Sequence, residues 1–199
     1  MKTLLQSLIN PILDYCSPLY NPQSIALKMK LETPIRSFTR KFKGLQTYDY
    51  WERLQILKLL SAERRRERFI IILMYKILKE LTPNPGIQWK LNGRTGIKAE
   101  IPERDKKLPT RIINLRENYF TTFGPKLFNA LPREVREFTT DSERDKVLPF
   151  KNNLDKYLQY IPDQPHVQGL QSRRAARSNS IIDQITYRKH SDLKWSFCS

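Results

Sequence analysis

The sequence predicts a mainly α fold carrying one small β-hairpin and ending in a disordered basic tail. Apolar residues recur at three- and four-residue steps over most of the chain, and the period switches to two only once, between Ile87 and Ile101. Beyond Pro162 the composition turns to Gln, Ser, Asn and Arg. The 199 residues are 39% hydrophobic with only 6 glycines, which supplies one core and leaves little for a second.

Pro22 to Lys43 reads as a helix with Leu31, Ile35, Phe38 and Phe42 on one face and Arg36, Arg40 and Lys43 on another. Pro34 should kink or split it, because proline lacks the amide donor and crowds the preceding turn. Gly44 supplies a stop, and Tyr48 to Leu60 forms a second short amphipathic segment through Tyr50, Leu54 and Leu57. Ser61 is a candidate N-cap for the strongest helix, in which Ile70, Leu73, Met74, Ile77, Leu78 and Leu81 recur before Pro83 and Pro85 end it.

Ile87, Trp89 and Leu91 alternate with polar residues, Asn92-Gly93-Arg94-Thr95-Gly96 turns the chain, and Ile97, Ala99 and Ile101 resume the alternation. Glu103 to Arg116 reads as a charged loop with a short extended piece at Thr110 to Ile113. Asn114 with Glu117 resembles a capping box opening a helix through Tyr119, Phe120 and Phe123, which Gly124-Pro125 should break. A last helix from Val147 carries Phe150, Leu154, Tyr157, Leu158 and Ile161.

The formal net charge is +16, and residues 51–100 are the most basic quarter. A basic folded region, as opposed to a basic tail alone, favours a polyanion laid over the domain surface, against the alternative of a merely well-solvated exterior. Arg64, Arg65, Arg66 and Arg68 fall in the first turns of the strongest helix, where cations oppose the positive end of the helix dipole. Such a cluster wants an anion, either a ligand or Glu63 and Glu67 three and four residues away. Arg173-Arg174-Ala175-Ala176-Arg177 adds a basic patch in the tail.

Catalytic constellations are not visible. The 2 histidines and 2 cysteines lie too far apart in sequence for a metal or nucleophile site, and Asp14, Asp49 and Asp141 are isolated, as residues of turns, caps and surface charges are. No phosphate-binding glycine motif occurs, so neither a metal nor a cofactor is expected. So few thiols suit a reducing compartment. The longest apolar run, Phe69 to Tyr75, is too short to span a bilayer, and Gln6, Asn10 and Pro11 spoil a signal-peptide pattern at the start.

Five colinear pieces carry a resemblance: Pro11-Ile12-Leu13-Asp14-Tyr15-Cys16-Ser17-Pro18-Leu19-Tyr20; Tyr50-Trp51-Glu52-Arg53-Leu54; Glu63 to Arg68 leading into Met74-Tyr75-Lys76-Ile77-Leu78; Tyr119 to Pro132; and Phe150 to Leu158. Together they resemble the region that follows the catalytic palm in reverse transcriptases of non-LTR retrotransposons of the jockey-like and related groups. Phe128 stands where that family usually has Trp, and the metal-binding Tyr/Phe-x-Asp-Asp motif is missing.

The resemblance implies a helical, thumb-like bundle that grips template and primer without polymerase activity of its own. The implied division is a thumb-like region at 1–81, hairpin and basic loop at 82–116, C-terminal helices at 117–161 and a flexible basic tail at 162–199. The implied partners are RNA, DNA or an RNA–DNA duplex, with a palm-bearing reverse transcriptase chain beside it, in the nucleus or cytoplasm; neither a membrane nor a small-molecule substrate is expected. Gripping phosphates needs helices that present Lys and Arg. The candidate contacts are Arg36, Arg40, Lys41 and Lys43, then Arg64, Arg65, Arg66 and Arg68, with Lys106, Lys107 and Arg111 extending the surface. The alternative is a helical protein-interaction or self-association module derived from such an element.

Overall fold

The computed structural model describes residues 2–19, 21–22, 24–103, 107–138, 147–165 and 179–190. The chain opens with α1 (Lys2–Leu4), passes through π-helical turns at Leu5–Ile9 and continues as α2 (Asn10–Asp14). Then come α3 (Ile25–Thr39), α4 (Tyr50–Ile56) and α5 (Ala62–Leu78). The hairpin strands are β1 (Trp89–Asn92) and β2 (Gly96–Ala99). Five helices complete the described fold: α6 (Thr110–Asn118), α7 (Phe120–Ala130), α8 (Arg133–Arg136), α9 (Leu148–Gln159) and α10 (Ile181–His190). The architecture is mainly helical with one antiparallel hairpin, as the periodicity predicts.

α5 is the spine. Its first residue, Ala62, belongs to a small apolar cluster with Leu5, Ile35, Tyr50, Leu54 and Leu59. Its second half places Ile70, Ile71, Met74, Tyr75 and Ile77 in a larger core with Leu127, Phe128, Phe150, Leu154 and Ile181. Each such side chain contributes about 1.5–3 kcal/mol on burial. The Tyr75 and Phe150 rings stack at 3.8 Å, which locks α5 against α9. Because one helix threads both clusters, the core does not divide at residue 81.

The hairpin is register-perfect for the alternation read from the sequence, with Trp89 opposite Ala99 and Asn92 opposite Gly96. Its outer edge is met by side chains in place of a third strand. Asn129 accepts from the Ala99 amide at 2.9 Å and donates to the Ala99 carbonyl at 2.7 Å, while the Ile97 amide donates to Glu137 at 2.6 Å. Gly96 has φ +71, which strains any side chain, and a Cβ there would sit 1.7 Å from Glu137 Oε1 and displace that carboxylate.

Several local expectations give way to packing. Pro34 does not split α3, which is continuous from Ile25 to Thr39: one backbone bond is lost, and full burial of Ile35 in the next position offsets it. The stretch from Thr110 to Ile113 is helical, not extended, and Asn114 and Glu117 lie inside α6 instead of opening a helix, since Pro109 starts that helix and Ile113 is its buried anchor. Gly124-Pro125 does not break α7; both residues are buried within it. Glycine is needed there because a Cβ would meet Met74 Sδ at 2.9 Å and Phe120 Cε2 at 3.2 Å, so its absence lets α7 approach α5. α5 stops at Leu78, short of Leu81, where Glu80 turns the chain at φ +58.

The segment after Pro162, expected to be a flexible tail, enters the fold at Asp163 and again from Asn179, with Asn179, Ser180, Ile181 and Gln184 all buried. Residues 166–178 and 191–199, including the Arg173–Arg177 patch, lie outside the described residues.

Gly124→Ala regains about 1 kcal/mol of helix propensity while crowding Met74, so the decisive change is Gly124→Val. It should cost about 1–3 kcal/mol by overpacking, read as a lower urea midpoint with an unchanged slope.

Candidate nucleic-acid interface

The first turn of α5 has four backbone amides without helical acceptors, and the chain supplies anions for them. Ser61 Oγ accepts from the Arg64 amide at 3.1 Å. Glu32, buried on α3, accepts from the Ala62 and Glu63 amides at 3.0 Å each and from the Tyr50 hydroxyl at 2.6 Å. A carboxylate at this helix end satisfies donors and complements the dipole. Burial pushes the Glu32 carboxyl above its usual range, and burial with the adjacent Glu32 charge pushes the Tyr50 hydroxyl up.

The arginine row Arg64, Arg65, Arg66 and Arg68 is turned inward. Arg64 is completely buried, donates to the Pro162 carbonyl at 2.7 Å and lies 3.7 Å from Asp163. Arg65 Nε reaches both oxygens of Asp14 at 3.1 Å, and its Nη1 donates to the Leu60 carbonyl. Arg66 is buried and engaged, and Arg68 forms a two-point pair with Asp155. The expectation that this row presents cations outward is corrected. Cations at a helix N-terminus require anions, and the acids that answer come mainly from other elements: α2, α9 and the C-terminal segment.

Glu67, on the same helix, accepts from the Ile181 amide at 2.7 Å and caps the entry to α10. Burial, reinforced by the nearby Glu63 charge, raises its pKa to about 7. Asp163 accepts from Ser61 N and Ser61 Oγ at 2.7 Å each and from Asn179 Nδ2 at 2.6 Å, so it ties the C-terminal segment to the α5 cap.

The other row behaves differently. Arg36, Arg40, Lys41 and Lys43 are all exposed, at the end of α3 and in the loop after it. Among the described residues none of the four pairs with a carboxylate. Their place at the C-terminal, negative end of a helix is favourable without one. Arg36 lies over the buried Tyr50 ring at 5.0 Å, which fixes it on the surface. Lys107 and Arg111 are exposed at the start of α6, which packs on α7, whereas α3 packs on α4 and α5; the two groups occupy different parts of the fold. Lys106 lies outside the described residues.

Asp49 caps α4 in a reciprocal box with Glu52, and Asp14 is an ion-pair partner, so both isolated aspartates have structural roles. Asp141, His166 and Cys198 lie outside the described residues. Sequence reasoning missed Glu32, Asp163 and Asn179; the one available signal was that the arginine row at the α5 N-terminus demanded more anion than Glu63 and Glu67 provide. Among the described residues no three His, Cys, Asp or Glu side chains gather as a metal site, and no helix is long and apolar enough to cross a membrane. No protein-family model, curated protein or solved structure matches the chain.

Asp163→Ala leaves Arg64 buried without its counter-charge and should cost about 3–5 kcal/mol, whereas Asp155→Ala breaks a part-exposed pair and should cost about 1 kcal/mol or less; paired denaturation curves compare them. The carboxyls of Asp14, Glu32 and Glu67 are all raised, the first chiefly by burial, so the folded chain holds protons that the unfolded chain has released. Their contribution to stability is full below the unfolded values near 4 and is lost as pH rises through each raised value, which for Glu67 is about 7. Glu67→Gln keeps an acceptor for Ile181 and should flatten the slope of stability against pH between 4.5 and 7.

Proposed function

We propose that this chain binds nucleic acid without sequence preference, through Arg36, Arg40, Lys41 and Lys43. The observation that carries the reading is this exposed cationic row, free of carboxylate partners among the described residues, on a chain of net charge +16. The inward pairs that Arg64, Arg65 and Arg68 make with Asp163, Asp14 and Asp155 are each net neutral, so the excess of +16 is carried by the rest of the chain. The resemblance to the post-palm region of non-LTR reverse transcriptases supports RNA, DNA or their hybrid as ligand, a palm-bearing chain as companion, and the nucleus or cytoplasm as the place of action. Lys107, in the turn before α6, and Arg111 on that helix offer a secondary contact.

A second reading, an interaction or self-association module, is favoured by a different observation. Leu4, Leu8 and Ile12 on the N-terminal helical segment, with Tyr15 and Leu19 in the turns after it, recur at three- and four-residue steps and are each at least half exposed, while Leu5, Ile9 and Leu13 on that segment face the small core. A segment apolar on both sides suits a covered one. Sedimentation as a monodisperse monomer across micromolar concentrations would count against this second reading.

Four neutralised phosphates correspond to a log–log salt slope of about −3 to −4 on duplex DNA. Changing Arg40, Lys41 or Lys43 to Ala should each reduce that slope by about one, measured by filter binding at several salt concentrations. A flat salt response removes the reading.

A further inference from the structure

The loop between α3 and α4 is a built feature, closed at both ends by one buried side chain. Arg53, 6% exposed on α4, donates through Nη1 to the Tyr48 carbonyl at 2.6 Å and through Nε to Thr39 Oγ1 at 3.3 Å. Thr39 ends α3, and Tyr48 precedes Asp49, the cap of α4, so a single guanidinium spans the loop base. Between these anchors the backbone is folded by successive turns: Lys41 to Phe38, Phe42 to Thr39, Leu45 to Phe42 and Tyr48 to Leu45. Gly44 takes φ +84, and its amide donates to the Gln46 side chain at 3.0 Å. Phe42 packs edge-on against Phe38 at 5.8 Å, which holds the loop's own apolar residue inward.

What is left outside is chemically consistent. Arg40, Lys41 and Lys43 are exposed, and so is Tyr48, a residue 45% exposed whose side chain has no ring partner or hydrogen bond among the described residues. Cations for a phosphate backbone beside an unoccupied aromatic face are the two components of a single-strand contact. A duplex can use only the first, because its base faces are already stacked on one another. The pinned loop base means that little further ordering is needed on binding.

We propose that the 40–48 loop is a single-stranded nucleic-acid site in which Arg40, Lys41 and Lys43 take phosphates and the Tyr48 ring stacks on a base. The proposal rests on the nucleic-acid reading above and adds a ligand class and a residue to it.

The test is fluorescence anisotropy of the full chain with labelled oligouridine, oligothymidine and a short duplex DNA, at fixed salt. Tyr48→Ala should weaken both single strands by about tenfold, the effect of losing one stacked base, and leave duplex affinity within about twofold. Tyr48→Phe should match the parent, since stacking uses the ring and not the hydroxyl. Equal loss on single strands and duplex, or no loss on any probe, overturns the Tyr48 site while leaving the cationic row standing. Failure of the parent to bind any of the three probes overturns both.

Discussion

The structure depends on how the positive end of α5 is neutralised. A helix that begins Ala62-Glu63-Arg64-Arg65-Arg66-Glu67-Arg68 puts two guanidinium groups in the turn whose backbone amides already carry partial positive charge and two more directly after it. The chain resolves this by folding acids onto that end from several directions: Glu32 onto the amides, and Asp163, Asp14 and Asp155 onto Arg64, Arg65 and Arg68 in turn. Each of these contacts joins a different element to α5, so the electrostatic remedy is also what assembles α2, α3, α9 and the C-terminal segment around one spine. Glu67 extends the scheme by capping α10. Buried pairs of this kind add little over an apolar core of equal volume, but breaking one partner is costly, which makes the arrangement specific.

The same electrostatics sorts the basic residues by role. At the N-terminus of α5 a cation needs an acid and becomes internal; at the C-terminus of α3 it is stabilised by the dipole and stays outside. Arg36, Arg40, Lys41 and Lys43 are therefore left on the surface, while Arg64, Arg65, Arg66 and Arg68 are turned into the fold. The small apolar cluster that seats α4 also places Tyr50 under Arg36, and Arg53 beneath the loop. The exposed cationic row is thus an outgrowth of the core on that side of the molecule.

Much of the fold was legible in the sequence because local signals and burial agreed. The hairpin was readable from alternation around Asn92-Gly93, α5 from Ser61 and its apolar repeat, and α9 from Phe150, Leu154, Tyr157 and Leu158. The misses share one cause. Pro34, Gly124 and Pro125 are breakers by intrinsic preference, yet each sits in a helix whose packing outweighs one lost backbone bond, and Gly124 is retained for the close approach to Met74. Asn114 and Glu117 have the spacing of a cap but lie within a helix already started by Pro109.

The sequence by itself determined the helical class, the hairpin and its register, the excess of positive charge and the presence of two basic rows, since these follow from periodicity, turn chemistry and composition. Which row faces water was decided only by tertiary structure. The carboxylate partners of Arg64, Arg65 and Arg68 lie between 51 and 99 residues away, counting from Asp14 to Arg65 and from Arg64 to Asp163, and nothing in local spacing encodes such distances. Burial of a charge is a property of all the elements that converge on it, and it exists only once they have.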